Sequence, residues 1–268
     1  MYHSVTFGTK NSWTDWHLVP TSRPVIDPPP VKTRYVEIPG ADGVIDLTDS
    51  LTGKPAYNNR EGSIEFYILN QYDLEGPATY NWSDVYSEIM TYLHGKRMTM
   101  ILEDDPGYYY EGRFSVNSWK TDQARSTITI DYNVDSKKYR VIPAYTSSDF
   151  KLGALSTYIS SMQMHVEEIS ANTSAITKKP PRICYAGERI RVADTFRFDI
   201  AIYATEVTGS DVVAELYMPY SQISGNEYTF TIDGYYQLMM YKPGSPVISS
   251  ADFPSMGAAI EYFPKGVL

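Results

Sequence analysis

Five stretches of this chain alternate apolar and polar residues with a period of two, and that pattern restricts the fold more than any other feature. Ile64, Phe66 and Ile68 alternate with Ser63, Glu65 and Tyr67. Phe114 and Val116 alternate with Arg113, Ser115 and Asn117, and Ile128, Ile130 and Tyr132 with Thr127, Thr129 and Asp131. Further on, Phe196, Phe198, Ile200 and Ile202 alternate with Arg197, Asp199, Ala201 and Tyr203, and Tyr228, Phe230 and Ile232 with Glu227, Thr229, Thr231 and Asp233. Successive side chains of a strand point to opposite faces, so each run presents one apolar face. Half-buried strands of this kind belong to antiparallel sheets with one wet face. The fold class is therefore all-β, mainly antiparallel.

The punctuation fits that class. Asp105-Pro106-Gly107 sits between two strand-like runs, and Gly40-Ala-Asp-Gly43 between two more. Asp233-Gly234 separates Tyr228–Ile232 from Tyr235–Tyr241 and predicts a hairpin, because Gly supplies a positive φ. One helix is predicted, over Asp84 to His94, with Ser83 as N-cap and Gly95 just past its end. Val85, Ile89 and Leu93 recur at four-residue spacing, with Tyr86 and Met90 beside them, a stripe suited to packing on a sheet face. The run Arg23-Pro-Val-Ile-Asp-Pro-Pro-Pro30 lacks the donors of a central strand and reads as an extended loop or arm. Between Gly153 and Ile169 strand and helix both remain open. Met162, Met164 and Val166 favour strand, whereas Leu152 to Ile159 fits either. A boundary falls near 136–148, at Ser136-Lys-Lys-Tyr139, Pro143 and Thr146-Ser-Ser148, and predicts two β domains, 1–142 and 143–268.

Composition narrows the function classes. The net charge of -9 and pI of about 5.0 oppose non-specific nucleic-acid binding, which needs clustered Lys and Arg, and docking on anionic lipid. The 24 tyrosines suit strands and interfaces. Cys184 is the single cysteine, so no internal disulfide forms. Met1 to Lys10 lacks the layout of a signal peptide, and no apolar run approaches ~18 residues. No membrane insertion is expected.

Candidate chemistry is sparse. His3, His17, His94 and His165 have no partner at metal-ligand spacing, and structural roles are expected for all four; His94, in the last helical turn, suits the helix dipole. Cys184, in a strand-like run after Arg182-Ile183, has no neighbouring base and reads as a buried small hydrophobe. Glu103-Asp104-Asp105 lacks calcium-loop spacing and reads as a solvated turn. Trp13, Trp16, Trp82 and Trp119 with Tyr108-Tyr-Tyr110 are read as core or interface rather than as a sugar-stacking platform. Tyr217, Tyr220, Tyr235 and Tyr236 leave room for a glycan-binding surface in the second half. No phosphate loop, dinucleotide fingerprint or nucleophile elbow is present. No catalytic residue, metal or cofactor is assigned.

An ordered series of motifs covering residues 1 to about 142 resembles the distal tail proteins of long-tailed phages. It begins with Phe7-Gly8 and Trp13, and continues through Val36-Glu-Ile-Pro-Gly-Ala-Asp-Gly-Val44, Tyr57-Asn-Asn-Arg60 and Ile64-Glu-Phe66. Leu93-His-Gly-Lys96, Asp105-Pro-Gly-Tyr-Tyr-Tyr-Glu-Gly-Arg113, Trp119 and Asp131-Tyr132 complete it. Val-Glu-Ile-Pro-Gly-Ala-Asp-Gly carries most of the weight.

The resemblance implies an N-terminal β-sandwich with a helix and an extended hairpin. It implies a galectin-like or jelly-roll second sandwich beginning at Asp149-Phe150, for which residues 150–268 offer no diagnostic motif of their own. It implies a homo-hexameric ring joining the tail-tube protein to the hub, or tail-associated, protein. The second domain would point outward to receptor-binding or side-fibre proteins. The tape-measure protein and genome would pass through an acid-lined channel without specific nucleic-acid binding. Such a chain is a structural virion component, made in the host cytoplasm, and not an enzyme. Pro39, Gly40 and Gly43 at the turn, with Tyr57 and Arg60 after it, are the residues expected to matter for fold or interface. The alternative reading is a carbohydrate-binding β-sandwich recognising host-surface polysaccharide; a β-sandwich hydrolase is a third, for which no acid pair is identifiable.

Overall fold

The computed structural model describes residues 2–40, 42–50, 52–68, 82–121, 126–153, 174–177, 182–204, 214–244 and 247–268. These form two compact units, residues 1–141 with 266–268, and residues 142–265. The all-β class holds: paired strands are antiparallel throughout the described residues. Of the segment Gly153–Ile169, expected as strand or helix, residues 154–169 lie outside what is described, as do the side chains of Trp82 and His165.

In the first unit, eight strands make one ladder. In chain order they are β1 (Val5–Phe7), β2 (Lys10–Asn11), β3 (Leu18–Pro20), β6 (Arg60–Ile68), β7 (Lys96–Leu102), β8 (Tyr108–Thr121), β9 (Ser126–Val134) and β10 (Tyr139–Arg140); β4 (Tyr35–Glu37) and β5 (Val44–Asp46) stand apart. The spatial order is β2-β1-β7-β8-β9-β6-β3, with β10 also on β8. Among the described residues these eight strands form a single hydrogen-bonded sheet. The 14-residue β8 serves β7, β9 and β10 together and bends at a bulge between Val116 and Ser118. Helix α1 (Trp82–Leu93) closes the apolar face. Val85, Ile89 and Leu93 are buried among Phe7, Phe66 and Phe114, and Phe7 meets Phe114 edge-on at 5.2 Å.

The helix starts before Ser83, so Ser83 is a first-turn residue rather than the cap, and its carbonyl accepts from the Ser87 hydroxyl. His94 follows the last turn, and its Nδ1 accepts the Val116 N–H at 3.1 Å, beside the bulge. His94 thus links helix to sheet. The acidic triplet is not an idle turn either. Glu103 accepts the Ser4 N–H, Asp104 accepts from His3 and Arg23, and Asp105 pairs with Lys138. Glu103 and Asp104 together hold residues 3–4, Asp104 also reaches Arg23, and Asp105 holds Lys138.

The second unit has two sheets. The first is β11 (Phe150–Gly153), β12 (Ser174–Thr177), β18 (Gly234–Tyr241), β15 (Arg197–Tyr203) and β16 (Leu216–Met218) in that order, with β13 (Arg182–Cys184) also on β18. The other is β17 (Glu227–Thr229), β14 (Arg189–Val192) and β19 (Ile260–Phe263). Between them lie Ile190, Val192, Phe198, Ile200, Tyr236 and Leu238, and helix α2 (Phe253–Ala258) adds Phe253 and Met256. Cys184 is buried here.

Two expectations fail in this unit. Asp233-Gly234 does not join a hairpin: β17 pairs with β14, and β18 with β12, β13 and β15, so the dipeptide carries the chain from one sheet to the other. Gly234 is needed for close approach, since a Cβ there would lie 2.4 Å from the Tyr203 carbonyl oxygen. Nor is β15 half-wet, for Asp199, Ala201 and Tyr203 are buried along with Phe198 and Ile200. Hydrogen bonding makes this tolerable. Asp199 accepts from the Tyr217 hydroxyl at 2.6 Å and the Tyr220 N–H at 2.7 Å, and Tyr203 bonds to Gln237 at 3.3 Å. Burial pushes the Asp199 carboxyl above its ordinary range, against the pull of those donors.

Candidate assembly interface

Residues 31–57 leave the sheet and return to it. The excursion is closed at its base by a bridge between Val31 and Tyr57, where Lys32 N–H donates to the Ala56 carbonyl and Asn58 N–H to the Pro30 carbonyl, each at 2.8 Å. Beyond this base stand β4 (Tyr35–Glu37) and β5 (Val44–Asp46), which pair only with each other among the described strands. At the tip, Pro39 precedes Gly40 and Gly43, whose φ values of +83° and +86° are costly for any residue with a Cβ. At the other end Asp46 accepts the Thr48 N–H at 2.8 Å, and the Thr48 hydroxyl and amide hold its carboxyl below the usual range.

The register assigns the faces. Val36 lies opposite Ile45, while Tyr35 faces Asp46 and Glu37 faces Val44. One face therefore carries Val36 and Ile45, with Ile38 continuing it; the other mixes Tyr35 and Val44 with two carboxylates. Tyr35 is 56% exposed, Val36 40%, Ile38 44%, Val44 54% and Ile45 45%. A two-stranded ribbon has no core of its own and is at best marginally stable in water. Covering half of these five side chains would supply on the order of 5 kcal/mol. The arrangement offers apolar surface and strand edges unpaired by other described strands.

Pro39, Gly40 and Gly43 thus share the tip, while Tyr57 and Arg60 sit at the base. Arg60 is buried: its Nε donates to the Ser136 carbonyl at 3.0 Å and its Nη1 to the Asp27 carbonyl at 2.9 Å, above the Tyr110 ring. It fixes the proline-rich run that leads into the arm. That run lacks regular structure, as its prolines require, and is anchored by Ile26. The apolar residues on the ribbon, which sequence reasoning did not single out, had a signal: two three-residue strands with apolar residues on both faces.

The aromatic groups do not make one platform. Trp16 is core, Trp13 stacks on Tyr2 at 3.9 Å, Trp119 rests against Tyr86, and Tyr109 stacks on Tyr139. In the second unit Tyr236 is core and Tyr217 is held by Asp199, while Arg197 lies over Tyr220. Among the described residues no three His, Cys, Asp or Glu side chains converge as a metal site, and no helix is long and apolar enough to cross a membrane.

No family model matches the chain, and no curated protein matches it. Among solved structures it is similar to the SPP1 Dit (gp 19.1) protein, described as a paradigm of the hub adsorption apparatus in phages that infect Gram-positive hosts. The identity is 12%, the match covers 89% of this chain and 97% of that one, and the TM-score is 0.41.

Proposed function

We propose that the protein is a non-enzymatic structural subunit of a phage tail tip, acting as a ring of six copies. The ring joins the tail tube to the hub and leaves a channel for the tape-measure protein and the genome. The second unit serves as an outward platform for receptor-binding or side-fibre proteins. The observation that carries this reading is the arm. The stretch whose sequence most resembles the distal tail proteins is also the one whose apolar side chains are left uncovered. A subunit that completes its packing only in an assembly has this property. Pro39, Gly40 and Gly43 set the arm's tip, and Tyr57 and Arg60 set its root.

Light scattering over a concentration series tests it. The expected result is a discrete species near six times 30.3 kDa, reduced to the single chain by Val36→Asp with Ile45→Asp. A species of another fixed stoichiometry rejects the six-fold ring. An assembly that survives both arm substitutions rejects the arm as its interface.

A further inference from the structure

The sheet β17-β14-β19 of the second unit turns one face to the core and the other to solvent. Ile190 of β14 faces Tyr228 and Tyr262 across the two ladders and is fully buried, as is Val192. Alternation puts Arg189 and Arg191 on the opposite face. There Arg189 lies opposite Thr229 and Phe263, and Arg191 opposite Glu227 and Glu261. Directly opposed side chains of a ladder start about 5 Å apart, so these groups are neighbours on one small surface.

Part of this surface is already committed. Arg189 Nη1 donates to Glu227 Oε1 at 2.8 Å, and the guanidinium lies 5.1 Å from the centre of the half-buried Phe263 ring. The rest is not. Arg191 and Glu261 are exposed and stand opposite each other, and neither side chain makes an ion pair or hydrogen bond among the described residues. The strands beneath are held firmly. Glu188, buried just before β14, accepts from the Tyr262 hydroxyl at 2.6 Å and the Tyr185 N–H at 2.8 Å. One carboxylate thus ties β19 to the turn that enters β14. A surface on so fixed a support binds without first having to order itself.

We infer that this face binds an uncharged polysaccharide, with Arg191 and Glu261 gripping neighbouring hydroxyls of one pyranose ring and Phe263 resting against its C–H face. The charges decide the ligand class. The guanidiniums of Arg189 and Arg191 balance the carboxylates of Glu227 and Glu261. An anionic chain would meet the two carboxylates and a cationic one the two guanidiniums. A sugar hydroxyl both donates and accepts, so adjacent hydroxyls satisfy a fork of N–H donors and a carboxylate standing side by side. The electron-rich face of an aromatic ring suits the weakly positive C–H groups of a pyranose. Of the tyrosines whose sequence suggested a glycan surface, Tyr217 and Tyr236 are buried, and the surface described here lies on the other sheet. It needs no ring of copies, and stands or falls apart from the function proposed above.

Binding of the whole chain to an oligosaccharide array tests it. The array carries uncharged oligomers of glucose, galactose, mannose, rhamnose and N-acetylhexosamines, with uronic-acid oligomers beside them, and the strongest uncharged binder is then titrated by calorimetry. The expected result is selective binding of uncharged oligomers. Arg191→Ala and Glu261→Gln should each weaken it about tenfold, since each removes a charge-assisted hydrogen bond. Phe263→Ala should weaken it as well, by removing the ring that the sugar rests on. Arg191 and Glu261 are exposed, so their variants keep the fold whatever Phe263→Ala does to it. No binding to any uncharged oligomer overturns the proposal, as does a preference for the uronic acids, or an affinity unchanged in either Arg191→Ala or Glu261→Gln.

Discussion

The first unit contains two antiparallel pairs that use the same chemistry to opposite ends. Along β6 and β9, Ile64 faces Ile130 and Phe66 faces Ile128, and all four are buried beneath α1. Along β4 and β5, Val36 faces Ile45 in equivalent pairing, and both are exposed. Cross-strand pairing of apolar residues is the unit of sheet stabilisation in both cases. What separates them is whether the chain supplies a cover. A pair completed inside the chain contributes to the stability of one molecule; a pair left open has its energy available only in association.

That contrast can be broken by experiment. Phe66→Ala should cost the isolated chain about 3–5 kcal/mol in denaturant unfolding, because a fully buried ring leaves a cavity. Arg60→Ala should cost about 2–3 kcal/mol, since the Ser136 and Asp27 carbonyls lose a buried donor, and amide exchange should quicken through residues 24–32. Gly40→Val should cost about 1 kcal/mol, confined to the tip, from forcing a branched residue to φ +83°. Val36→Ala should change the unfolding of the single chain by no more than about 0.5 kcal/mol while weakening assembly. A loss at Val36 as large as that at Phe66 would mean that the arm is already packed within the chain.

The last and smallest effect concerns the second unit. The folded-state pKa of Asp199 lies above its unfolded value because burial disfavours the carboxylate. Its contribution is therefore fully present below the unfolded pKa of about 3.9 and is lost as pH rises through the folded pKa. Melting curves of Asp199→Asn and the unsubstituted protein should differ most in favour of the latter in acid, with the gap closing as pH rises through that window. A gap that widens with pH would show instead that the Tyr217 and Tyr220 donors outweigh burial.

Strands with one wet face were legible because alternation alone encodes them; β9 alternates in burial as its sequence alternates in polarity. β15 has the same pattern and is buried on both faces, since Asp199 and Tyr203 find partners in Tyr217 and Gln237, residues remote in sequence. Polarity predicts exposure only where no distant partner is waiting. Asp233-Gly234 misled for a related reason: Gly meets two needs, positive φ and close approach, and the sequence does not distinguish them. At the arm, the tip was legible from its glycines. The buried position of Arg60 was not, because its acceptors are backbone carbonyls that any sequence possesses.

The pairing of Lys138 with Val267 also bears on how such a gene changes over generations. The second unit is inserted into the first between two points joined there by the isolated bridge of Lys138 and Val267. A replacement of any length between residues 142 and 265 can begin and end there without shifting the register of a single strand in the eight-stranded sheet. Exchange by recombination would replace the second unit and spare the arm and the core that carries it.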